Sequence, residues 1–435
     1  MSVTILATGD LHIGRRSSTK NAGFNSPEEI SCASMWRRLV DCAIEKKVDL
    51  VLLSGDIVDQ DNCYFEAIAP LEKGLRKLHS HGIQTYATAG NHDAGVLPRL
   101  ARLVNTGSFQ LLGKDGTWES VDYSKDGKVL ARIHGWSFFS RHHQTSPLLQ
   151  YELEAHPDVP TIGLLHADLD VPNSKYAPVT LDELQSKDLS IWVLGHQHKP
   201  LRKERPGSPT VLYPGSPQAM DPGEKGIHGP WLLQIDDRND VTAEQLPLST
   251  VRYDICNVNA EACTEADDLI NAISRAAQEY EDGLQAEVNP PLLALLRFEI
   301  EGRSAISQQL ESLPEFDPEK SELFSKPLCG RDTAVHAEKI VDKTLPLFDL
   351  RQLAEKKDPI GVVAGLLLGL EQDTPDPETD ALIEDCISAM HKAHQVRAYL
   401  DINSDQKINR AEAREILKEQ GLRLIAELQN QESAA

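Results

Sequence analysis

Carboxylate, imidazole and amide side chains recur along the first half of the chain in five short blocks: Asp10-Leu11-His12, Gly55-Asp56, Gly90-Asn91-His92-Asp93, His166 and Gly195-His196-Gln197-His198. They are oxygen and nitrogen donors with no thiolate among them, a set that suits Mn, Fe or Zn in a reactive centre better than a structural zinc. In an extended segment residues i and i+2 point to the same side. Asp10 with His12, and His196 with His198, can therefore each offer a pair of ligands to one site. Asp56, at the end of the run LVLLSGD, is the natural carboxylate to bridge two cations between those pairs. Two such ions roughly 3.5 to 4 Å apart activate water and stabilise both the attacking and the leaving oxygen of an in-line displacement at phosphorus.

The elements that must position these groups are legible upstream of each block. VTILAT, DLVLLS, IQTYATA, PTIGLL and SIWVL are apolar runs of strand length, so the ligands fall where strands give way to loops. Open α/β sheets build their sites at that edge. Ser26-Pro27-Glu28-Glu29 supplies an N-cap candidate and a first-turn proline for a helix running to Lys47. Residues 1–246 alternate strand-like and amphipathic stretches and carry every block. Residues 250–345 read as a small α+β domain with strands over VRYDICNV and LLALLRFEI, a helix over TEADDLINAISRAAQEY and a short helix over AISQQLE. Residues 346–435 read as helical, punctuated by Pro359, Pro375 and Pro377.

At 435 residues the chain is too long for one ordinary core. Its apolar runs are strand-sized, short of a membrane span, and the first strand starts at Val3 without a charged leader, so no secretory signal is expected. Seven cysteines form no CxxC pair, which suits reduced cytosolic thiols rather than a disulfide framework. The expectation is a cytoplasmic enzyme. A formal charge of -23 works against bulk attraction to nucleic acid, so a polyanionic substrate must be held locally, by metals and a few basic clusters.

The order DxH, GD, GNHD, H, GHxH is similar to that of the calcineurin-like metallophosphoesterases. In the forms DLHIG, GDIVD, GNHD, LLHAD, GHQHK and YPGSPQAMDPGEKG, the chain resembles the SbcD-type DNA repair exonucleases, especially their YhaO-like branch, over about residues 1–235. That resemblance implies an α/β metallophosphoesterase sandwich, two packed sheets flanked by helices, with a small α+β cap domain and a helical C-terminal region. It implies two divalent metal ions, Mn2+ foremost. One would take Asp10, His12, Asp56 and His198, the other Asp56, Asn91, His166 and His196. It makes His92 no ligand but the catalytic group facing the scissile phosphate, with Asp93 behind the ligands to orient an imidazole. Eukaryotic and archaeal relatives often carry a histidine three residues after the bridging aspartate, where this chain has Asp59. The implied function is a Mn-dependent DNA exonuclease or endonuclease in DNA repair. Its partners would be DNA, an SMC-like coiled-coil ATPase docked on the helical tail and a second copy of the chain, with no membrane.

Plainer readings stand beside these. His134 ends the strand-like VLARIH and matches no ligand slot, so it is taken as structural, and His142 with His143 reads as a solvated loop rather than a substrate-facing one. Arg15 and Arg16 could reach phosphates beside the metals. KPLRKERP, with four basic residues and one acid, is either a DNA-backbone contact or a solvated hairpin. Asp401, Asn403, Asp405, Lys407, Asn409 and Glu412 have EF-hand spacing, but Gln406 replaces the turn glycine, which favours a helix-loop-helix connection with acidic caps. Two other functions remain open: a phosphodiesterase or phosphatase for nucleotides or other small phosphoesters, and a non-catalytic scaffold subunit of an ATPase complex.

Overall fold

The computed structural model describes residues 3–15, 28–59, 64–104, 107–236, 238, 240–307, 310, 314–317, 321–372, 374, 376–394 and 408–434. They divide into two compact units: Met1–Cys256, Ala277–Arg297 and Glu322–Lys339 in one, Asn257–Ala276, Phe298–Ser321 and Ile340–Ala435 in the other.

The first unit is built on two six-stranded sheets. In chain order its first elements are β1 (Val3–Thr8), α1 (Cys32–Glu45), β2 (Leu50–Ser54), α2 (Tyr64–Ser80), β3 (Gln84–Thr88), α3 (Leu97–Leu103) and β4 (Phe109–Leu111). They are followed by β5 (Glu119–Lys125), β6 (Lys128–Trp136), β7 (Thr161–His166), α4 (Leu181–Gln185) and β8 (Ile191–Gly195). Then come β9 (Leu201–Lys203), β10 (Thr210–Tyr213), β11 (Trp231–Ile235) and β12 (Val241–Gln245). One sheet has the order β12-β11-β1-β2-β3-β4 and the other β5-β6-β7-β8-β10-β9.

The central strands β1, β2, β7 and β8 are covered on both faces, which is why they read as unbroken apolar runs, whereas the edge strands β5 and β12 alternate. Ile5, Ala7, Leu50 and Leu52 point into the core between the sheets and meet Ile133, Ile162, Leu164, Ile191 and Val193 from the other side. Leu6, Val51 and Leu53 point the other way, onto Met35, Trp36 and Leu39 of α1 and Leu71 and Leu75 of α2. On the far side Leu165, Trp192, Leu194 and Tyr213 pack with Trp136 and Phe138. A slip of one residue would exchange two cores of different shape, so the register is strongly specified. That register aligns the ligand-bearing ends: Thr8 is opposite Leu53, Ser54 opposite Thr88, and His166 opposite Gly195, all in parallel pairs.

The helix expected from Ser26 starts later. Ser26 and Pro27 lie outside the described residues, 28–30 form a turn, and α1 begins at Cys32 with the Ser31 side chain accepting from the Ser34 N–H. Further on, β13 (Val251–Asn259), α5 (Ala266–Leu284), β14 (Leu293–Glu301) and β16 (Ala334–Asp342) follow, with the strand order β13-β14-β16. Between the last two lie the short β15 (Arg303–Ser304) and the single-turn α6 (Glu322–Ser325). The expected helix over 305–311 falls partly outside the described residues, and 305–307 form a turn.

In the second unit β17 (Leu345–Pro346) pairs with β15, and α7 (Leu350–Ala354), α8 (Pro359–Glu371), α9 (Pro377–His394) and α10 (Arg410–Ala434) share a core. That core contains Leu350, Ile360, Ala364, Leu367, Ile383, Leu422 and Ile425. Pro359 and Pro377 sit at first-turn positions, where the missing N–H costs nothing. Asp401, Asn403, Asp405 and Lys407 lie outside the described residues. Asn409 and Glu412 are occupied with each other: the Asn409 N–H donates to Glu412 Oε2 at 2.9 Å and the Glu412 N–H to Asn409 Oδ1 at 3.0 Å. This is a capping box on α10. Among the described residues no helix is long and apolar enough to cross a membrane.

Candidate metal centre

The five blocks meet at one end of the two sheets. Asp10, His12, Asp56 and His196 have positive φ (51°, 45°, 49° and 102°), a conformation that costs a non-glycine residue about 1 to 3 kcal/mol and persists where surrounding contacts over-determine it. Those contacts are visible. The N–H groups of Asp10 and His12 donate to the carbonyls of Gly55 and Asp56 at 3.0 and 2.9 Å. The His92 N–H donates to Asp56 Oδ1 at 2.8 Å and the His196 N–H to both Asp10 oxygens at 3.1 Å. Two glycines are demanded by this crowding. A Cβ on Gly90 would lie 2.2 Å from Asp56 Oδ1, and one on Gly195 would lie 1.9 Å from the Ser54 carbonyl.

Two corners form. In the first, His12 Nε2 and His198 Nε2 face each other at 3.1 Å, beside the buried Asp10, and His12 Nε2 is 3.8 Å from Asp56 Oδ2. In the second, Asn91 Oδ1 lies 3.0 Å from His166 Nε2 and 3.2 Å from His196 Nδ1. His166 Nε2 is also 3.4 Å from Asp56 Oδ2. The tautomers follow from the outer contacts. His166 Nδ1 donates to the Ser54 carbonyl at 3.0 Å, His196 Nε2 to Asp168 Oδ1 at 3.1 Å, and His198 Nδ1 to Glu224 Oε1 at 2.6 Å. These contacts leave His166 Nε2, His196 Nδ1 and His198 Nε2 facing the two corners beside carboxylate and amide oxygens. With the imidazoles deprotonated, such a set of nitrogen and oxygen ligands is a chemical fit to divalent cations, and Asp56 stands between both corners.

The electrostatics match that geometry. Burial alone would raise the Asp56 carboxyl, but the imidazoles of His166, His12 and His92 hold it below the ordinary carboxylate range. Burial pushes His166 down, keeping it neutral. Burial opposes a charge on His198 too, yet the Glu224 hydrogen bond and the Asp10 charge lift it to about 9. His92 is partly exposed and packs edge-on to His12 at 5.1 Å. Its pKa is raised first by Asp59, whose carboxylate is 3.8 Å from His92 Nδ1 and 3.7 Å from His12 Nδ1.

The expectation for Asp93 is corrected. It touches no imidazole: Oδ1 accepts the Gly90 N–H at 2.7 Å, and Oδ2 accepts those of Ile57 at 2.7 Å and Val58 at 3.4 Å. Burial and the Asp56 charge push its carboxyl well up, and its work is to tie two ligand loops together. The imidazoles are oriented by Asp168 and Glu224, which the motif pattern does not single out. Asp168 closes the LLHAD run two residues after His166, a usable signal. Glu224 lies in the PGEKG segment, where nothing local distinguishes it.

Among the remaining candidates, Arg15 sits beside the centre, its N–H donating to the His12 carbonyl at 2.9 Å and its charge acting on His198. His134 Nδ1 bonds the Tyr151 hydroxyl at 2.6 Å. Arg15 lies 3.8 Å from Asp221, and Arg16 is outside the described residues. KPLRKERP forms the β9 edge and its turn, where Arg202 donates to the Ala243 carbonyl at 3.1 Å and pairs with Glu204, and Arg205 is 3.8 Å from Asp182.

Residues 3–200 match the family model of the calcineurin-like phosphoesterases. The chain is 30% identical over 253 residues to the metallophosphoesterase YhaO of Bacillus subtilis, covering 56% of this chain and 59% of that protein. It is 24% identical over 338 residues to the DNA double-strand break repair protein Mre11 of Thermoplasma acidophilum, covering 75% and 83%. With the Mre11 of Methanocaldococcus jannaschii it shares 30% identity over 192 residues, or 41% and 47% of the two chains.

Proposed function

We propose that the chain, whose residues 3–200 match the calcineurin-like phosphoesterase family model, is a Mn-dependent nuclease acting on the phosphodiesters of DNA. The observation that carries the reading is the pair of donor corners joined by Asp56. Asp10, His12, Asp56 and His198 would hold one cation, and Asp56, Asn91, His166 and His196 the other. Two divalent cations there would supply Lewis-acid charge to phosphoryl oxygens and lower the pKa of water. The protein's own part is positional. Asp168 and Glu224 fix the two outer imidazoles, Asp93 fixes the loops, and His92, with Asp59 behind it, presents a proton to the leaving oxygen.

The choice of DNA rests on the similarity to two Mre11 proteins and on the motif details around the blocks. By the same likeness we assign residues 250–345 to capping the centre and the helical tail to docking an SMC-like ATPase in the cytoplasm. A net charge of -23 favours a second reading, a phosphodiesterase for small phosphoesters. Purified protein with Mn2+ is offered duplex DNA and bis-p-nitrophenyl phosphate, with and without a coiled-coil ATPase. Degradation of DNA supports the nuclease. Hydrolysis of the small diester with DNA untouched in every combination rejects it in favour of the second reading.

A further inference from the structure

One wall of the centre is made of two loops zipped to each other. The segment leaving β6 is pinned at its start by the Phe138 N–H donating to the Ala89 carbonyl at 3.0 Å, just before Gly90-Asn91-His92. Further along, the His143 N–H donates to the Lys175 carbonyl at 2.8 Å and the Ala177 N–H to the His143 carbonyl at 2.7 Å. The second loop is tied back to the ligand region in turn, because the Asp168 N–H donates to the Tyr176 carbonyl at 2.9 Å.

On this frame three rings stand in a row. Tyr176 lies against the ligand-set imidazole of His196 with centroids 4.9 Å apart and planes at 38°. His142 lies against Tyr176 at 5.7 Å and 35°. Tyr176 is half-buried, whereas His142 and the adjacent Arg141 are exposed. The backbone bonds already fix both loops, so holding them in place does not require the outermost ring. His143, by contrast, turns away, its ring packed against Trp136 and Phe139. The row therefore starts at the metal corner and ends in an exposed imidazole, with Arg141, also exposed, next to it in sequence.

We propose that the His196–Tyr176–His142 row is a base-stacking subsite, in which a nucleobase next to the scissile phosphate rests on His142 and Arg141 takes a flanking phosphate. Base stacking on a side-chain ring is tolerant of sequence, and an arginine adds attraction to the backbone. Such a subsite lets a strongly acidic protein select a nucleic-acid strand locally, without a basic face. The inference deepens the phosphoesterase reading of the centre and rests on it.

The test compares an oligothymidylate with a fully abasic oligomer of the same length, for the wild type, His142→Ala and His142→Phe, with bis-p-nitrophenyl phosphate as a report on the metal centre of the wild type. The wild type is expected to favour the oligothymidylate by roughly 5- to 150-fold, mostly in KM. His142→Ala should bring that ratio close to one, and His142→Phe, which keeps a ring, should retain it. Arg141→Ala should raise KM for both oligomers. If the wild type hydrolyses the small diester but shows no preference for bases, or His142→Ala keeps the preference, the subsite is overturned and the phosphoesterase reading stands. If the wild type hydrolyses none of the three, the reading beneath it fails as well.

Discussion

Replacing Glu224 by Gln removes one charge at nearly constant shape, and the surrounding contacts determine the consequence for His198. Glu224 Oε2 accepts the Ser216 hydroxyl and the Met220 N–H, both at 2.9 Å, while Oε1 takes His198 Nδ1 at 2.6 Å. A glutamine oxygen left on Ser216 and Met220 turns its NH2 toward His198 and drives that ring to carry its proton on Nε2, the atom that faces the metal corner. The wrong tautomer weakens a cation there by roughly 10- to 100-fold, about 1.4 to 2.7 kcal/mol. An opposing effect accompanies it. With its pKa at about 9, His198 is almost fully protonated in the metal-free protein at pH 7.5, and that proton must leave as the cation enters. Without Glu224 the ring loses both the hydrogen bond and one of the charges that raise it, while burial still lowers it, so less proton has to leave and part of the apparent affinity returns. The two effects oppose each other in Kd, so the proton count is the diagnostic. Calorimetric titration of Mn2+ at pH 7.5 in buffers of different ionisation enthalpy should show Glu224→Gln releasing fewer protons per chain than the wild type. Equal proton release from the two proteins would refute the assignment of Glu224 as the group that sets the state of His198.

Other consequences can be checked more briefly. Asp93→Ala strands the buried N–H groups of Gly90 and Ile57, at roughly 1 to 3 kcal/mol each, and should lower the melting temperature by several degrees; an unchanged melting curve would contradict the loop-tying role. His92→Ala should keep its Mn content, measured by plasma mass spectrometry, while kcat falls by roughly 10² to 10⁴; undiminished turnover removes His92 from the chemistry. Burial pushes His134 down to about 4, whereas in the unfolded chain it takes a proton near 6.5. The unfolded state therefore binds more protons between those values, and stability falls as pH drops through that window. In urea titrations of metal-free protein, His134→Gln should lose less stability than the wild type between pH 6.5 and 4, and identical losses would argue against a neutral buried His134.

Strands and ligand blocks could be read from the sequence because each leaves a local mark. An apolar run such as VTILAT followed by Gly-Asp needs no long-range information to be seen as a strand ending in a ligand. Of the supporting carboxylates, Asp168 leaves only its place in LLHAD, and neither shows in the sequence which ring it serves. Glu224 reaches His198 across 26 residues and Asp168 reaches His196 across 28, and only the sheet order that brings the loops after β7, β8 and β10 together makes them neighbours. Asp93 departs from expectation for a related reason: proximity in sequence to Asn91 suggests service to a ligand ring, but its carboxylate reaches backbone on the Ile57 loop instead. The left-handed backbone of Asp10, His12 and Asp56 runs against their intrinsic preferences and is imposed by tertiary contacts. The rings of Tyr176 and His142 likewise form a row only because His143 bridges the two loops that carry them.

Two cations sharing Asp56 underlie everything proposed for the centre. Crystals grown with Mn2+ and measured at wavelengths on either side of the Mn absorption edge report them directly. Two anomalous peaks roughly 3.5 to 4 Å apart are expected, one among Asp10, His12, Asp56 and His198 and the other among Asp56, Asn91, His166 and His196. A single peak, or one seated instead among His12, Asp59 and His92, would contradict the shared-aspartate centre.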